Sequence, residues 1–202
     1  MQLLVHASPE QREAFLSRPI PAQVTVAWYE GELLPADAYF DLHDDAAGNS
    51  VFERITTAPV FVNAVVAERA ALAPHLVRMN AWPGFLTSPR LELACAHKHE
   101  AEVAKVMSAL GWQYQLVPDL PGMIAPRVIA MIINEAWFAW GDGVSSKEEI
   151  DTAMKLGTNY PYGPFEWGEK IGINRIYSLL KALGKRYEIA PALTEAWAAC
   201  NK

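Results

Sequence analysis

The chain has 202 residues, 51% hydrophobic and 20% charged, which is the balance of a folded globular protein rather than a disordered one. Seventeen Lys and Arg against 23 Asp and Glu leave a formal net charge of −6, and no stretch concentrates the basic residues as a nucleic-acid binder does. The longest apolar runs, such as residues 128–133, stop far short of the roughly 18 residues that a membrane span requires. The first residues already include Glu10 and Glu13 and read as neither a signal nor a transit peptide. Cys95 and Cys200 lie far apart with no metal-ligand spacing. A cytoplasmic protein is expected, with no metal, no nucleic acid and no membrane among its partners.

In chain order, residues Gln2–His6, 23–28, 39–43, 60–65, 77–82, 91–95 and 113–117 are short apolar or β-branched runs that predict strands. Between them, Pro9–Leu16, residues 49–55, residues 68–75 and Glu100–Leu110 predict helices. The last places Val103, Val106, Met107 and Leu110 at helical spacing, with Gly111 as its stop. Strands alternating with helices predict a parallel-rich α/β layer fold. The cluster Pro118-Asp119-Leu120-Pro121-Gly122 is turn-forming, and beyond it every long segment reads helical. Residues 126–140 form one helix, apolar around most of its surface. Ser145 with Glu148 and Ser146 with Glu149 are overlapping capping boxes that open a second helix, which Gly157 closes. One further helix is expected over residues 166–183, and a short one over residues 191–199. Two domains are expected, residues 1–119 and residues 120–202.

An α/β half raises the question of a nucleotide. A dinucleotide fold needs glycines directly after its first strand, so that backbone can approach a pyrophosphate at a helix N-terminus. Here that strand runs into Ala7-Ser8-Pro9-Glu10, and the first glycine of the chain is Gly31. A carboxylate at Glu10 suits the helix dipole but repels a phosphate. A full six-stranded dinucleotide domain also needs on the order of 150 residues, at about 30 per βαβ unit.

Of the histidines, His97 and His99 read either as half a metal site or, with no third ligand at a telling spacing, as the solvated start of a helix, and His6, His43 and His75 as isolated surface or structural residues. Cys95 reads as a buried small hydrophobe in a strand. Trp137, Phe138, Trp140, Phe165 and Trp167 read either as the lining of an apolar slot or, at helical spacing, as core.

The second half carries a specific resemblance. Pro121-Gly122 followed by Pro126-Arg127, then Asn134-Glu135-Ala136, then the run from Gly143 through Asp151 to Gly157, then Tyr160 to Glu166 with Tyr162 and Phe165 between, closely resembles the C-terminal domain of 3-hydroxyacyl-CoA dehydrogenases. The likeness covers residues 121–183 and extends more loosely upstream. It implies a reduced Rossmann-like N-terminal domain, α/β in class. An all-α, 6-phosphogluconate-dehydrogenase-like helical domain would follow it.

In that family a histidine takes the hydroxyl proton of a 3-hydroxyacyl-CoA as hydride passes to NAD, and a glutamate twelve residues later orients it. The resemblance puts Glu92 at the glutamate, Asn80 at the histidine (Met79 if the nearby proline is aligned instead) and Asn63 at a substrate-side asparagine. Pro126 stands at a second asparagine position, and Val65 or Val66 at a serine. With Tyr160, Tyr162, Phe165 and Trp167 it forms the expected substrate or dimer wall.

The expectation is therefore a catalytically impaired relative with no cofactor, a homodimer that binds an acyl-CoA-like ligand or a partner enzyme. Two alternatives stay open. One is an active NAD-dependent dehydrogenase with a non-standard base such as His97 or His75; the other is an assembly protein without a small ligand.

Overall fold

The structure is a computed structural model that describes residues 1–43, 50–67, 71–184 and 187–201. It divides into two compact units, Met1–Met123 and Ile124–Lys202.

The first unit is one seven-stranded sheet. Its strands are β1 (Gln2–His6), β2 (Thr25–Trp28), β3 (Ala38–Asp41), β4 (Val60–Asn63), β5 (Leu76–Met79), β6 (Arg90–Ala94) and β7 (Gln113–Leu116), in spatial order β2-β1-β3-β4-β5-β6-β7. All neighbours pair parallel except β5 with β6, where Met79 lies opposite Leu93. Side chains alternate between two buried layers, as the period of a strand dictates. Leu3, Val5, Phe40, Phe61, Val77 and Met79 join one core with Phe15 and Val103. Leu4, Tyr39, Val60, Val62 and Leu76 join the other with Phe52. Because both faces are covered, β3, β4 and β5 are buried at every position.

Helix α1 (Pro9–Leu16) follows β1, and α2 (Glu100–Leu110) joins β6 to β7. Gly111 ends α2 at φ 66°, the left-handed conformation expected of a glycine stop. The helix expected over residues 49–55 does not form among the described residues. Residues 50–55 make successive turns, with the N–H of Glu53 donating to the Ser50 carbonyl and that of Ile55 to Phe52, while Asn49 lies outside the described residues. Of the segment 68–75, Glu68, Arg69 and Ala70 lie outside them, Ala71 is in 3-10 conformation, and the chain turns at Pro74 and His75, where the Leu76 N–H donates to the Ala73 carbonyl at 3.1 Å. Cys95 falls just past the end of β6 and is half-buried rather than enclosed.

The second unit holds α3 (Ala125–Gly141), α4 (Lys147–Thr158), α5 (Pro164–Ile171), α6 (Ile173–Ala182) and α7 (Pro191–Cys200). Of the two overlapping capping boxes, Ser146 with Glu149 forms, and the hydroxyl of Ser145 also donates to Glu149. Gly157 does not close α4; the helix runs one residue further, and Asn159 caps it at φ 56°. The single helix expected over residues 166–183 is two helices. Gly172, at φ 98° and ψ 130°, lies outside the helical region and separates α5 from α6. No helix among the described residues is long and apolar enough to cross a membrane.

Candidate functional site

Strands β1, β3, β4 and β5 run parallel, so their carboxyl ends form one edge of the first unit. Asn63 closes β4 and is buried. Its Nδ2 donates to the Leu42 carbonyl at 3.3 Å, and its Oδ1 accepts from the Ala81 N–H at 3.1 Å, so one side chain ties the chain beyond β3 to the chain beyond β5. Asn80 follows β5, is also buried, and accepts at Oδ1 from the Trp82 N–H at 3.4 Å. Its own N–H donates to the Glu92 carbonyl at 3.1 Å, so Asn80 and Glu92 face each other across β5 and β6. His75 precedes β5 and therefore lies at the opposite end of that strand from Asn80. His97 is exposed and pairs with Glu100 at 3.1 Å. Neither histidine offered as an alternative base is in register with Glu92. Met79, the other candidate for the histidine position, is fully buried in the core.

The same edge brings His6 and His43, isolated in the sequence, together with Asp41. Nδ1 of His6, at the end of β1, lies 2.8 Å from Oδ1 of Asp41, at the end of β3. The His6 ring stacks on His43, with centroids 4.7 Å apart and planes at 16°, and meets Tyr29 edge-on at 5.3 Å. Oδ2 of Asp41 accepts from the Val51 N–H at 3.0 Å. No local motif announced this cluster, because 35 residues separate His6 from Asp41.

Between β1 and α1 the helix start is closed by its own residues. The hydroxyl of Ser8 accepts from the Gln11 N–H at 3.3 Å, and Oε1 of Gln11 accepts from the Ser8 N–H at 3.0 Å. Pro9, at the first helical position, has no N–H to offer. Among the described residues, no group of three His, Cys, Asp or Glu side chains is placed to hold a metal.

In the second unit, Pro126, Phe165 and Trp167 are buried; Tyr162 is half-buried and Tyr160 exposed. A shallow hollow is lined by Lys155, Pro161, Tyr162, Glu166, Glu169 and Lys170. The Lys155 ammonium bonds to Glu166, whose other oxygen accepts from the Gly163 N–H at 2.9 Å. Both contacts hold the Glu166 carboxyl below the ordinary carboxylate range, the lysine more strongly. Trp137 packs edge-on against Trp140 at 5.5 Å and against Phe165 at 5.4 Å. The Lys147 ammonium sits 4.2 Å from the Trp137 ring and 4.3 Å from that of Trp140. These aromatics form a cluster that the chain's own lysine caps.

Residues 122–199 match the C-terminal domain family of 3-hydroxyacyl-CoA dehydrogenase. The second half of the chain is thus similar to the C-terminal domain of that family. The 3-hydroxyadipyl-CoA dehydrogenase of Escherichia coli K12 is 54% identical over 71 residues, which are 35% of this chain and 15% of that protein. A 3-hydroxybutyryl-CoA dehydrogenase of Clostridioides difficile is 45% identical over 67 residues, 33% of this chain and 24% of that protein. The matched segment thus spans less than a quarter of the length of either relative. The crystal structure of (S)-3-hydroxybutyryl-CoA dehydrogenase from Ralstonia eutropha superimposes with a TM-score of 0.70 at 18% identity, covering 98% of this chain and 94% of that one. The Rossmann-like sheet followed by a helical domain is therefore the fold of this family.

The match corrects the expectation that no cofactor is used: NAD is the cofactor expected in a family of 3-hydroxyacyl-CoA dehydrogenases. The β1–α1 turn, however, does not fit a pyrophosphate in the manner of a dinucleotide fold. Its N–H donors at Ser8 and Gln11 are spent on each other's side chains, Pro9 has none, and that of Glu10 lies beside its own carboxylate.

Proposed function

We propose that this chain is a 3-hydroxyacyl-CoA dehydrogenase-family homodimer that binds an acyl-CoA-type ligand and turns it over, with NAD as the family's cofactor, far more slowly than a family member with an intact base. The observation that carries the reading is the Asn80–Glu92 pairing: a buried amide stands across β5 and β6 from the carboxylate. An amide takes no proton near neutral pH, and loss of a general base costs on the order of 10²–10⁴-fold. The Asn80 oxygen is moreover occupied by the Trp82 N–H.

His6 does not replace the missing base. Three strand spacings separate β1 from β5, roughly 14 Å at about 4.8 Å each, and proton abstraction works at hydrogen-bond reach. The helical unit supports the binding half of the reading, with Tyr160 and Tyr162 the members of the expected wall that keep accessible surface.

Calorimetric titration with acetoacetyl-CoA, alongside sedimentation, tests binding and assembly. Saturable heat at micromolar ligand and a dimer mass are expected. No heat at millimolar ligand, or a monomer at that concentration, overturns the binding or the dimer part respectively.

A further inference from the structure

Trp137, Trp140 and Phe165 converge in the helical unit on a single cation that the proposed reaction does not use. The two tryptophans, three residues apart on α3, stand at 89° with ring centroids 5.5 Å apart. Phe165, in the first turn of α5, meets Trp137 at 61° and 5.4 Å. The Lys147 ammonium lies 4.2 Å from the Trp137 ring, 4.3 Å from that of Trp140 and 5.3 Å from that of Phe165. Three rings within about 6 Å of one ammonium make an aromatic cage.

We propose that this cage is a binding site for a quaternary ammonium group, and that Lys147 is the internal cation with which such a ligand competes. Among the described residues the Lys147 ammonium has no carboxylate partner. Glu149, two residues further on, is turned back to Ser145 and Ser146. Lys147 is also the first residue of α4, where the positive end of the helix dipole disfavours a cation. The rings are therefore what keeps the lysine in place, and a ligand that suits them better displaces it.

Trp137 and Phe165 are each 6% exposed, so packing fixes their rings, whereas Trp140 is 38% exposed and leaves one side of the cage open to solvent. The indole N–H of Trp137 is buried with no acceptor among the described residues, so one wall keeps an unspent donor. Entry costs the two kinds of cation differently. A lysine ammonium is compact and strongly hydrated, and it gives up water to sit among rings. A quaternary ammonium has no N–H to hydrate, and the lysine it displaces recovers its water and its rotamers. An anion would meet the negative faces of the rings, so the site selects against carboxylates and phosphates. This inference does not rest on the acyl-CoA reading, because its residues all lie in the helical unit and none belongs to the β5–β6 pair.

Proton–nitrogen NMR of the full chain reads the indole N–H signals of the cage directly, each assigned by its loss in Trp137→Phe or Trp140→Phe. Tetramethylammonium chloride is expected to shift both signals saturably, and sodium chloride at the same concentration to leave them in place. Lys147→Ala, which removes the internal cation from an exposed helix start, is expected to lower the half-saturating concentration several-fold. Trp140→Leu, which takes out the open wall, is expected to remove the response at Trp137. A wild type silent to tetramethylammonium, a sodium shift as large, a half-saturating concentration unchanged or raised in Lys147→Ala, or a Trp137 response that survives Trp140→Leu would each overturn the proposal.

Discussion

The carboxylate of Asp151, on α4, accepts the N–H of Phe165, in the first turn of α5, at 2.8 Å, and its second oxygen accepts that of Glu166 at 3.1 Å. The N-cap of α5 is Gly163, which has no side chain with which to cap it, so a residue twelve positions earlier supplies the acceptors. Asp151 is 7% exposed, so the bonds form away from bulk water. Asp151→Ala leaves two helix-terminal amides without their acceptors and is expected to destabilise the helical unit by about 2–4 kcal/mol. Asp151→Asn, which keeps one acceptor, is expected to cost less. Chemical denaturation followed by tryptophan fluorescence measures both.

Gly163 is required by the same contact. A Cβ built there falls 2.3 Å from Oδ1 of Asp151 and 2.4 Å from its Cβ, closer than real side chains approach. Gly163→Ala is expected to cost about 1–3 kcal/mol as an overpacking substitution. In the Asp151→Ala background the obstruction is smaller, so the double variant is expected to lose less than the sum of the two singles. Additive losses would show that the two residues act separately.

Glu166 joins this corner to Lys155. Its folded pKa is lowered, first by the Lys155 hydrogen bond and then by the Gly163 N–H. A depressed carboxylate contributes stability that is present above its unfolded pKa and is lost as pH falls through the folded value. The unfolded side chain titrates near its ordinary value of 4.5. The contribution is therefore complete at neutral pH and disappears on acidification below that range. Glu166→Gln is expected to flatten the acid limb of the stability curve while leaving its shape above pH 6 unchanged; stability measured from pH 3 to pH 7 reads it.

Arg78, on β5, is completely buried and anchors the end of the first unit. Its Nε donates to the Ala64 carbonyl at 2.8 Å, one Nη to the Val65 carbonyl at 3.0 Å, and the other to the carboxylate of Asp119. Asp119 belongs to the turn-forming cluster, whose Gly122 N–H also donates to Val65, at 2.8 Å. Arg78→Met removes one partner of a buried pair and strands several acceptors, at an expected cost of about 3–5 kcal/mol. Arg78→Lys keeps the charge but not the planar fork and is expected to recover only part of that loss. Thermal unfolding of the two variants beside the wild type separates these outcomes.

What the sequence made legible was local. Strand alternation, the Pro9 helix start and the Gly111 stop are each written in a few neighbouring residues, and the structure places β1, α1 and α2 where those signals put them. The break at Gly172 was illegible because a glycine inside an apolar, helical pattern is tolerated as often as it interrupts. Its φ of 98° lets α5 and α6 leave one line, and both contact α3. The hydrogen bonds of Asn63 and the buried fork of Arg78 depend on strand order, which no single segment encodes. For the same reason no single segment shows that the sheet brings Asp41 and His43 to His6. Asn80 and Glu92 were singled out through the family resemblance alone; β5 and β6 are antiparallel neighbours, which sets the two residues opposite each other. The missing glycines before α1 were legible too. They bear on the turn alone and did not license the expectation that the cofactor was lost.

Oxidation of NADH by the purified chain with acetoacetyl-CoA, beside a family dehydrogenase whose base is intact and an Asn80→His variant of this chain, tests the central claim most directly. The account predicts turnover at least about 10²-fold below that dehydrogenase, with the rate rising in Asn80→His. Wild-type turnover equal to that of the dehydrogenase would contradict it and would mean that another group takes the proton.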